Sequence, residues 1–293
     1  MKTEILITRA GDGYELVDSG GEEKLERFGN VVLSRPDPQA LWEKRLGIAE
    51  WRKANAWYER KGKTGTWHGK DLPKEWPLSL GGLSLLIRPT TFKHTGLFPE
   101  QLPNWEWMSE KVEGGRLKVE GSPKVLNLFG YTGGATLACA KAGAEVTHVD
   151  ASKSAVSWAK ENAEQSGLSS KPIRWMVEDV MLFVKREIKR GNKYDAIVMD
   201  PPAFGHGPKD ELWKIEEHFI PLIKLCKELL SDTPLFFLVN GYAAGYSPIT
   251  FAHNLESFKK DFGGVVECGE LTIKESGNDG RLLPSGIFAR WSK

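Results

Sequence analysis

The residues best placed to do chemistry fall in four short stretches. Gly130-Tyr131-Thr132-Gly133-Gly134 is a glycine-rich turn, and Asp150, Asp179 and Asp200 follow it in order. Glycine lets a ligand approach the backbone closely. A helix starting just after the turn adds unpaired N–H groups and partial positive charge, which suit an anion. Asp150 lies about 20 residues past the first glycine, the spacing at which an acid meets the ribose hydroxyls of a nucleotide-like ligand. Asp200 opens Asp200-Pro201-Pro202-Ala203-Phe204. Two successive prolines fix φ and remove two N–H donors. A rigid backbone offering only carbonyl acceptors therefore follows the acid, and Phe204 adds a ring on which a flat group can stack. Taken singly, each stretch has a plain structural reading: an ordinary strand-to-helix turn, a solvated Asp150, a helix N-cap at Asp179. Together they favour a ligand site.

The turn is not the dinucleotide fingerprint, because Tyr131 stands where a pyrophosphate turn needs a small residue. No Lys-Ser/Thr pair follows the glycines, so it is not a P-loop either. A nucleoside ligand without a pyrophosphate remains, and S-adenosylmethionine fits that description. Asp150 would then accept from the ribose hydroxyls and Asp179 from the adenine amino group. Asp200 would face the cationic methionine end, and the turn would admit the carboxylate. The Pro-Pro carbonyls would accept from an exocyclic amine and aim its lone pair at the methyl group, a reaction governed by positioning.

These residues need a parallel sheet to hold them. From Lys124 the pattern alternates strand and helix, as a doubly wound sheet requires. Strands are expected at 125–128, 146–149, 173–177, 194–199 and 235–239, then 265–271 and 286–291 as an antiparallel pair at the sheet edge. Helices are expected at 135–142, 152–165 (capped by Ser152), 180–189, 211–230 and 250–262. The fold class is α/β: a Rossmann-like doubly wound sheet of seven strands over residues 86–293, with a small β-rich domain over residues 1–85. Short apolar runs at 5–7, 14–17, 24–28 and 31–33 fill the first part, and 77–88 reads as a hairpin around Gly81-Gly82. A helix at 104–111 and a polar connector at 113–121 lead into the sheet.

Residues 41–76 hold Trp42, Trp51, Trp57, Trp67 and Trp76 among many Lys and Arg, including Lys61 and Lys63, with Asp71 among the diluting acids. Such interleaving suits single-stranded nucleic acid. It equally suits a small packed domain with a solvated face. The net charge is +1, so any nucleic-acid contact must be local. Cys139, Cys226 and Cys268 are far apart and suggest neither a disulfide framework nor zinc. The histidines show no metal or triad spacing, and no metal is expected. No apolar run reaches the ~20 residues that span a bilayer, and Met1-Lys-Thr-Glu-Ile lacks a signal pattern. A cytoplasmic protein is the expectation.

Asn127-Leu-Phe-Gly-Tyr-Thr-Gly-Gly, Val149-Asp150, Glu178-Asp179 and Asp200-Pro-Pro-Ala-Phe204 resemble class I S-adenosylmethionine-dependent methyltransferases. More narrowly, they are similar to the Asp-Pro-Pro branch that modifies bacterial 23S ribosomal RNA. Phe92-Lys-His-Thr-Gly-Leu-Phe98 is similar to the loop preceding the fold in that branch. The resemblance implies cofactor contacts at Phe129 to Gly134 (Thr132 included), Asp150, Ala151, Ser152, Asp179, Val180 and Asp200, and at Lys93, Thr95 and Gly96. It implies catalysis around Asp200, Pro201, Pro202 and Phe204, with ribosomal RNA as partner. Ala203 departs from the branch, which often has Lys there. Carbon-methylating members use cysteine nucleophiles near strands four and five, whereas strand five here ends Val239-Asn-Gly-Tyr242. A nitrogen target without a covalent intermediate is therefore expected. A small-molecule or protein methyltransferase, or a non-catalytic nucleotide-binding scaffold, are the other readings. The oligomeric state is left open, a homodimer included.

Overall fold

The computed structural model describes every residue except Asp12, Lys63, Asp71, Leu117, Lys118, Glu120, Ala243, Ala244 and Asn278. Lys63 and Asp71 of the tryptophan-rich segment, and part of the 113–121 connector, thus lie outside the described residues. In chain order come β1 (Lys2–Thr8), β2 (Tyr14–Gly20), β3 (Glu23–Phe28), β4 (Val31–Pro36), α1 (Ile48–Trp51), β5 (Ala56–Lys61), β6 (Thr64–Gly69), β7 (Trp76–Leu80) and β8 (Leu83–Ile87). After a turn of 3-10 helix at Pro99–Gln101 follow α2 (Leu102–Gly115), β9 (Lys124–Leu128), α3 (Gly134–Lys141), β10 (Glu145–Asp150), α4 (Lys153–Gln165), β11 (Ile173–Val177) and α5 (Val180–Lys189). The chain ends with β12 (Ala196–Met199), β13 (Phe204–His206), β14 (Leu212–Lys214), α6 (Ile215–Glu228), β15 (Phe236–Gly241), α7 (Pro248–Phe262), β16 (Val265–Lys274) and β17 (Leu282–Ser292).

The chain forms two compact units. One comprises Met1–Leu6, Asn104–Glu270 and Gly286–Lys293; the other comprises Ile7–Pro103 and Leu271–Ser285. These limits differ from a single cut at residue 85. The large sheet has the order β1-β16-β17-β15-β12-β9-β10-β11 among the described residues. Strands β15, β12, β9, β10 and β11 pair in parallel, and β17 runs antiparallel to β15. The expected seven strands are present, and β1 makes an eighth. It takes the edge that the β16/β17 pair was expected to occupy, so β17 lies inside the sheet. Gly269 of β16 permits this pairing: a Cβ there would stand 1.7 Å from the Glu4 carbonyl oxygen.

Buried parallel strands must be apolar on both faces, and β9, β12 and β15 are buried along almost their whole length. Phe183 of α5, Phe219 of α6 and Phe251 and Phe258 of α7 close over Phe237 and Trp291. Fully burying each such side chain contributes about 1.5–3 kcal/mol. One expected helix is shorter than the spacing suggests. Residues 211–214 are not helical, because Phe204–His206 and Leu212–Lys214 pair as an antiparallel hairpin before α6 begins. No helix among the described residues is long and apolar enough to cross a membrane.

The second unit holds the five-stranded sheet β2-β3-β4-β5-β6 and the β7/β8 hairpin. Gly81 and Gly82 both have positive φ, 58° and 67°, as a two-residue type I′ turn demands. A buried ionic group closes the unit. The Arg281 guanidinium donates to Asp18 Oδ1 (3.0 Å) and to Glu275 Oε1 (2.8 Å). Both acids are almost fully buried.

Candidate functional site

Strands β11, β10, β9 and β12 are neighbours in parallel register, Asp150 opposite Val177, Val149 opposite Leu128, and Leu128 opposite Met199. Their carboxyl ends therefore present Phe129–Gly134, Asp150–Ser152, Asp179-Val180 and Asp200–Phe204 along one edge. That is where open α/β sheets bind ligands.

The turn after β9 is strained. Phe129 and Tyr131 have φ of 57° and 47°, and Gly133 has 90°; left-handed non-glycine residues cost on the order of 1–3 kcal/mol each. The surroundings hold this shape. Gly130 N–H donates to the Val149 carbonyl (3.0 Å) and Gly133 N–H to that of Gly130 (3.0 Å). Tyr131 N–H donates to Asp150 Oδ2 (2.8 Å), and Asn162 Nδ2 donates to the Thr132 carbonyl (2.8 Å). Two glycines admit side chains from beneath. A Cβ on Gly130 would stand 2.4 Å from the His148 ring, and one on Gly134 would stand 2.3 Å from Trp105. His148 is fully buried, and Thr136 Oγ1 lies 2.9 Å from its Nδ1. Asn127 Nδ2 donates to the same hydroxyl (2.8 Å). Burial pushes the imidazole down to about 3, so it is neutral, and its Nε2 has no partner among the described residues.

Asp150 is anchored from both oxygens, since Ser152 N–H donates to Oδ1 at 2.8 Å. Burial still raises its pKa, partly offset by those two N–H bonds. Half-buried Ala151 separates it from Ser152, whose Oγ accepts from Ala155 N–H and caps α4. Asp179 performs the capping role open to it: Oδ1 accepts from Leu182 N–H (2.9 Å), with Val180 buried as the first residue of α5. Its other oxygen keeps acceptor capacity.

Asp200 differs from both. Among the described residues nothing donates to its carboxylate, and burial pushes it up to about 7. The following loop is fixed by β14 and α6. Trp213 Nε1–H donates to the Pro202 carbonyl (2.6 Å) and Ile215 N–H to the Ala203 carbonyl (3.0 Å). Of the acceptors expected for a substrate, Pro202 is thus occupied, while the carbonyls of Asp200 and Pro201 have no donor among the described residues. Trp213 also packs edge-on against Phe129 (4.8 Å), tying the Pro-Pro loop to the glycine turn. Phe204 is 57% exposed, its ring edge-on to His206 at 5.2 Å.

Lys93, Thr95 and Gly96 belong to the other unit. There Lys93 has φ of 67° and its ammonium donates to the Pro36 carbonyl (3.0 Å). Thr95 is fully buried, its hydroxyl without a partner among the described residues, and Gly96 has φ of 85°. Of the residues that shape the site from behind, Asn127 stands in the stretch that carries the resemblance, whereas Trp105, Thr136, His148, Asn162 and Trp213 carry no expectation of a role in the site from the sequence. Only the apolar-to-polar switches at Asn127 and His148 inside buried strands gave a local signal.

Residues 99–218 match the family model described as Conserved hypothetical protein 95. Ribosomal RNA large subunit methyltransferase I of Aeromonas salmonicida is 32% identical over 191 residues, 65% of this chain and 45% of that protein. Ribosomal RNA large subunit methyltransferase K/L of Pseudoalteromonas atlantica is 29% identical over 196 residues, 66% of this chain and 24% of that protein. The chain thus spans less than half the length of these curated relatives. The crystal structure of the SAM-dependent methyltransferase from Agrobacterium tumefaciens superposes with a TM-score of 0.93 at 42% identity, over 99% of this chain and 93% of that one. At that identity over nearly the full length of both chains, the protein belongs to the S-adenosylmethionine-dependent methyltransferases.

Proposed function

We propose that this methyltransferase modifies a base of large-subunit ribosomal RNA at a nitrogen atom, without a covalent cysteine intermediate. The observation that carries the reading is the Asp200 carboxylate, which has no donor among the described residues and is followed by two prolines and the exposed Phe204.

The residues fit S-adenosylmethionine. An unpartnered acid pushed up to about 7 is in want of a cation. Asp150, already fixed by two N–H donors, keeps lone pairs for ribose hydroxyls, and Asp179 keeps one oxygen for an adenine amino group. The strained turn and the start of α3 receive the carboxylate, with Phe129, Tyr131 and Thr132 as its walls. When bound, the cofactor supplies an electrophilic methyl group on sulfur. The protein's task is then to orient the acceptor. Phe204 offers a face for a flat base, and the Asp200 and Pro201 carbonyls accept from an exocyclic amine.

The thiols support a nitrogen target. Carbon methylation of a pyrimidine needs covalent activation by a nucleophile, and only the thiolate is nucleophilic. Cys139, Cys226 and Cys268 are all buried, and burial raises each thiol, Cys139 to about 12. The names of the relatives support ribosomal RNA, and a cytoplasmic location goes with that substrate. The test is transfer of labelled methyl from S-adenosylmethionine to an unmodified large-subunit transcript, followed by nucleoside mass spectrometry. An N-methylated nucleoside is expected. A C5-methylpyrimidine or a protein–RNA adduct would overturn the nitrogen assignment. Transfer to protein or small molecules alone would overturn RNA.

A further inference from the structure

Five tryptophans crowd residues 41–76, and four have their indole N–H engaged within the unit. Trp42 donates to the Ser19 carbonyl (3.1 Å), Trp51 to Asp18 Oδ2 (2.9 Å), Trp67 to the Thr90 carbonyl (2.8 Å) and Trp76 to the Phe28 carbonyl (3.0 Å). These four pack the unit. Trp57 does not. It is 52% exposed, and its N–H has no partner among the described residues.

Its setting is an open sheet face. Strand alternation puts Trp57, Glu59 and Lys61 on one side of β5, opposite His68, Thr66 and Thr64 of β6. Strand β6 is the edge of its sheet. Trp57 stacks on His68 with centroids 5.5 Å apart and planes 20° apart, and Glu59 Oε2 holds His68 Nε2 at 2.8 Å. The result is a flat, rigid aromatic surface in water. Leaving a large ring half-solvated forgoes the burial that makes tryptophan useful in a core.

The charge around it is complementary to a polyanion. Residues 50–76 carry seven Lys and Arg against four Asp and Glu, in a chain of net charge +1. The described acids are already engaged: Glu50 with Lys53, Glu59 with Lys61 and His68, Glu75 with Arg88. Arg52, Arg60, Lys70 and Lys74 are exposed and have no acidic partner among the described residues. Aromatic faces for bases together with cations for phosphates are what sequence-tolerant single-strand binding uses.

We propose that the Trp57–His68 pair is a base-stacking platform for single-stranded RNA, with the unpaired cations of the same segment meeting its phosphates. This rests on the RNA reading above and says where the unit grips the strand.

The test is fluorescence anisotropy with labelled single-stranded oligoribonucleotides and, as a base-free probe, inorganic polyphosphate as competitor. Wild type, Trp57→Ala, Trp57→Phe and His68→Ala are compared, with a circular-dichroism melt of each. Trp57→Ala should weaken RNA binding by about tenfold or more, the loss expected when one base loses its aromatic partner. Trp57→Phe should retain most of the affinity, and the inhibition constant of polyphosphate, corrected for the RNA affinity of each variant, should be the same for Trp57→Ala and wild type. Equal RNA affinity of wild type and Trp57→Ala, both folded, overturns the platform. If Trp57→Ala does not fold, the platform is overturned by a folded His68→Ala that binds as wild type does. Wild type that binds no RNA defeats the RNA reading itself, whereas wild-type binding indifferent to Trp57 defeats only the platform.

Discussion

Gly130 is pressed from below, and that contact can be measured. In Gly130→Ala the new Cβ would stand 2.4 Å from Cε1 and 2.5 Å from Nδ1 of His148, whereas carbon contacts settle near about 3.5–4.0 Å. Roughly 1 Å must open. The ring is not free to retreat, being fully buried against Trp175 (4.9 Å) and bonded to Thr136. The turn is tied to Val149 and Asp150. Overpacking of this kind costs about 1–3 kcal/mol, or a melting point lower by about 2–12 °C at roughly 2–4 °C per kcal/mol. A displaced turn also pulls Tyr131 N–H from Asp150, so S-adenosylhomocysteine should bind at least about tenfold more weakly. His148→Ala removes the obstacle together with a buried, unpartnered Nε2, whose loss offsets part of the cavity. The double variant should therefore be more stable than the two singles added, by about 1 kcal/mol or more. Unfolding of the four proteins, with calorimetric titration of the ligand, measures the coupling. Additivity within about 0.5 kcal/mol, or a Gly130→Ala protein indistinguishable from wild type, would refute the contact as the reason for glycine.

Asp150→Ala removes an acceptor from two N–H groups and from the ribose, interactions worth about 1.5–3 kcal/mol each when charge-assisted. Ligand affinity should fall about a hundredfold, and a dissociation constant within threefold of wild type by calorimetry would exclude the assignment. Asp200, pushed up to about 7, must ionise to face a cation, so S-adenosylmethionine affinity should climb as pH rises through about 7 and level off above it; Asp200→Asn should bind weakly with a flat profile. In the ligand-free protein the sign is the reverse. A carboxyl with a raised folded pKa stabilises the fold below its ordinary range and loses that contribution as pH rises through about 7, so thermal melts of Asp200→Asn should lack this loss. Arg281→Ala strands Asp18 and Glu275 in a buried setting and should cost about 3–5 kcal/mol; a loss under about 1 kcal/mol in urea unfolding would show that water replaces the guanidinium.

What could be seen in the sequence was whatever the chain states locally. Strands β9, β12 and β15 announce themselves as apolar runs because both faces are buried, and the helix starts at Ser152 and Asp179 follow from side chains that bond to N–H groups three residues on. Pairings set by distant residues left fainter marks. Strand β1 joins the sheet through β16, and the mark of that is Gly269 yielding to the Glu4 backbone. The β13/β14 hairpin was hidden because Leu212, Trp213 and Ile215 fit helical spacing, although Gly207-Pro208-Lys209-Asp210 is a turn signal and Asp210 has φ of 66°. The glycines of the turn were assigned to a ligand's approach, yet Gly130 and Gly134 are needed first by His148 and Trp105. A glycine states that something comes close to the backbone and leaves its identity to tertiary structure. The tryptophans pose the same problem from the opposite side. Composition shows aromatic rings among cations, and only the fate of each indole N–H separates the four that hold the unit together from Trp57, which is left in water to meet something else.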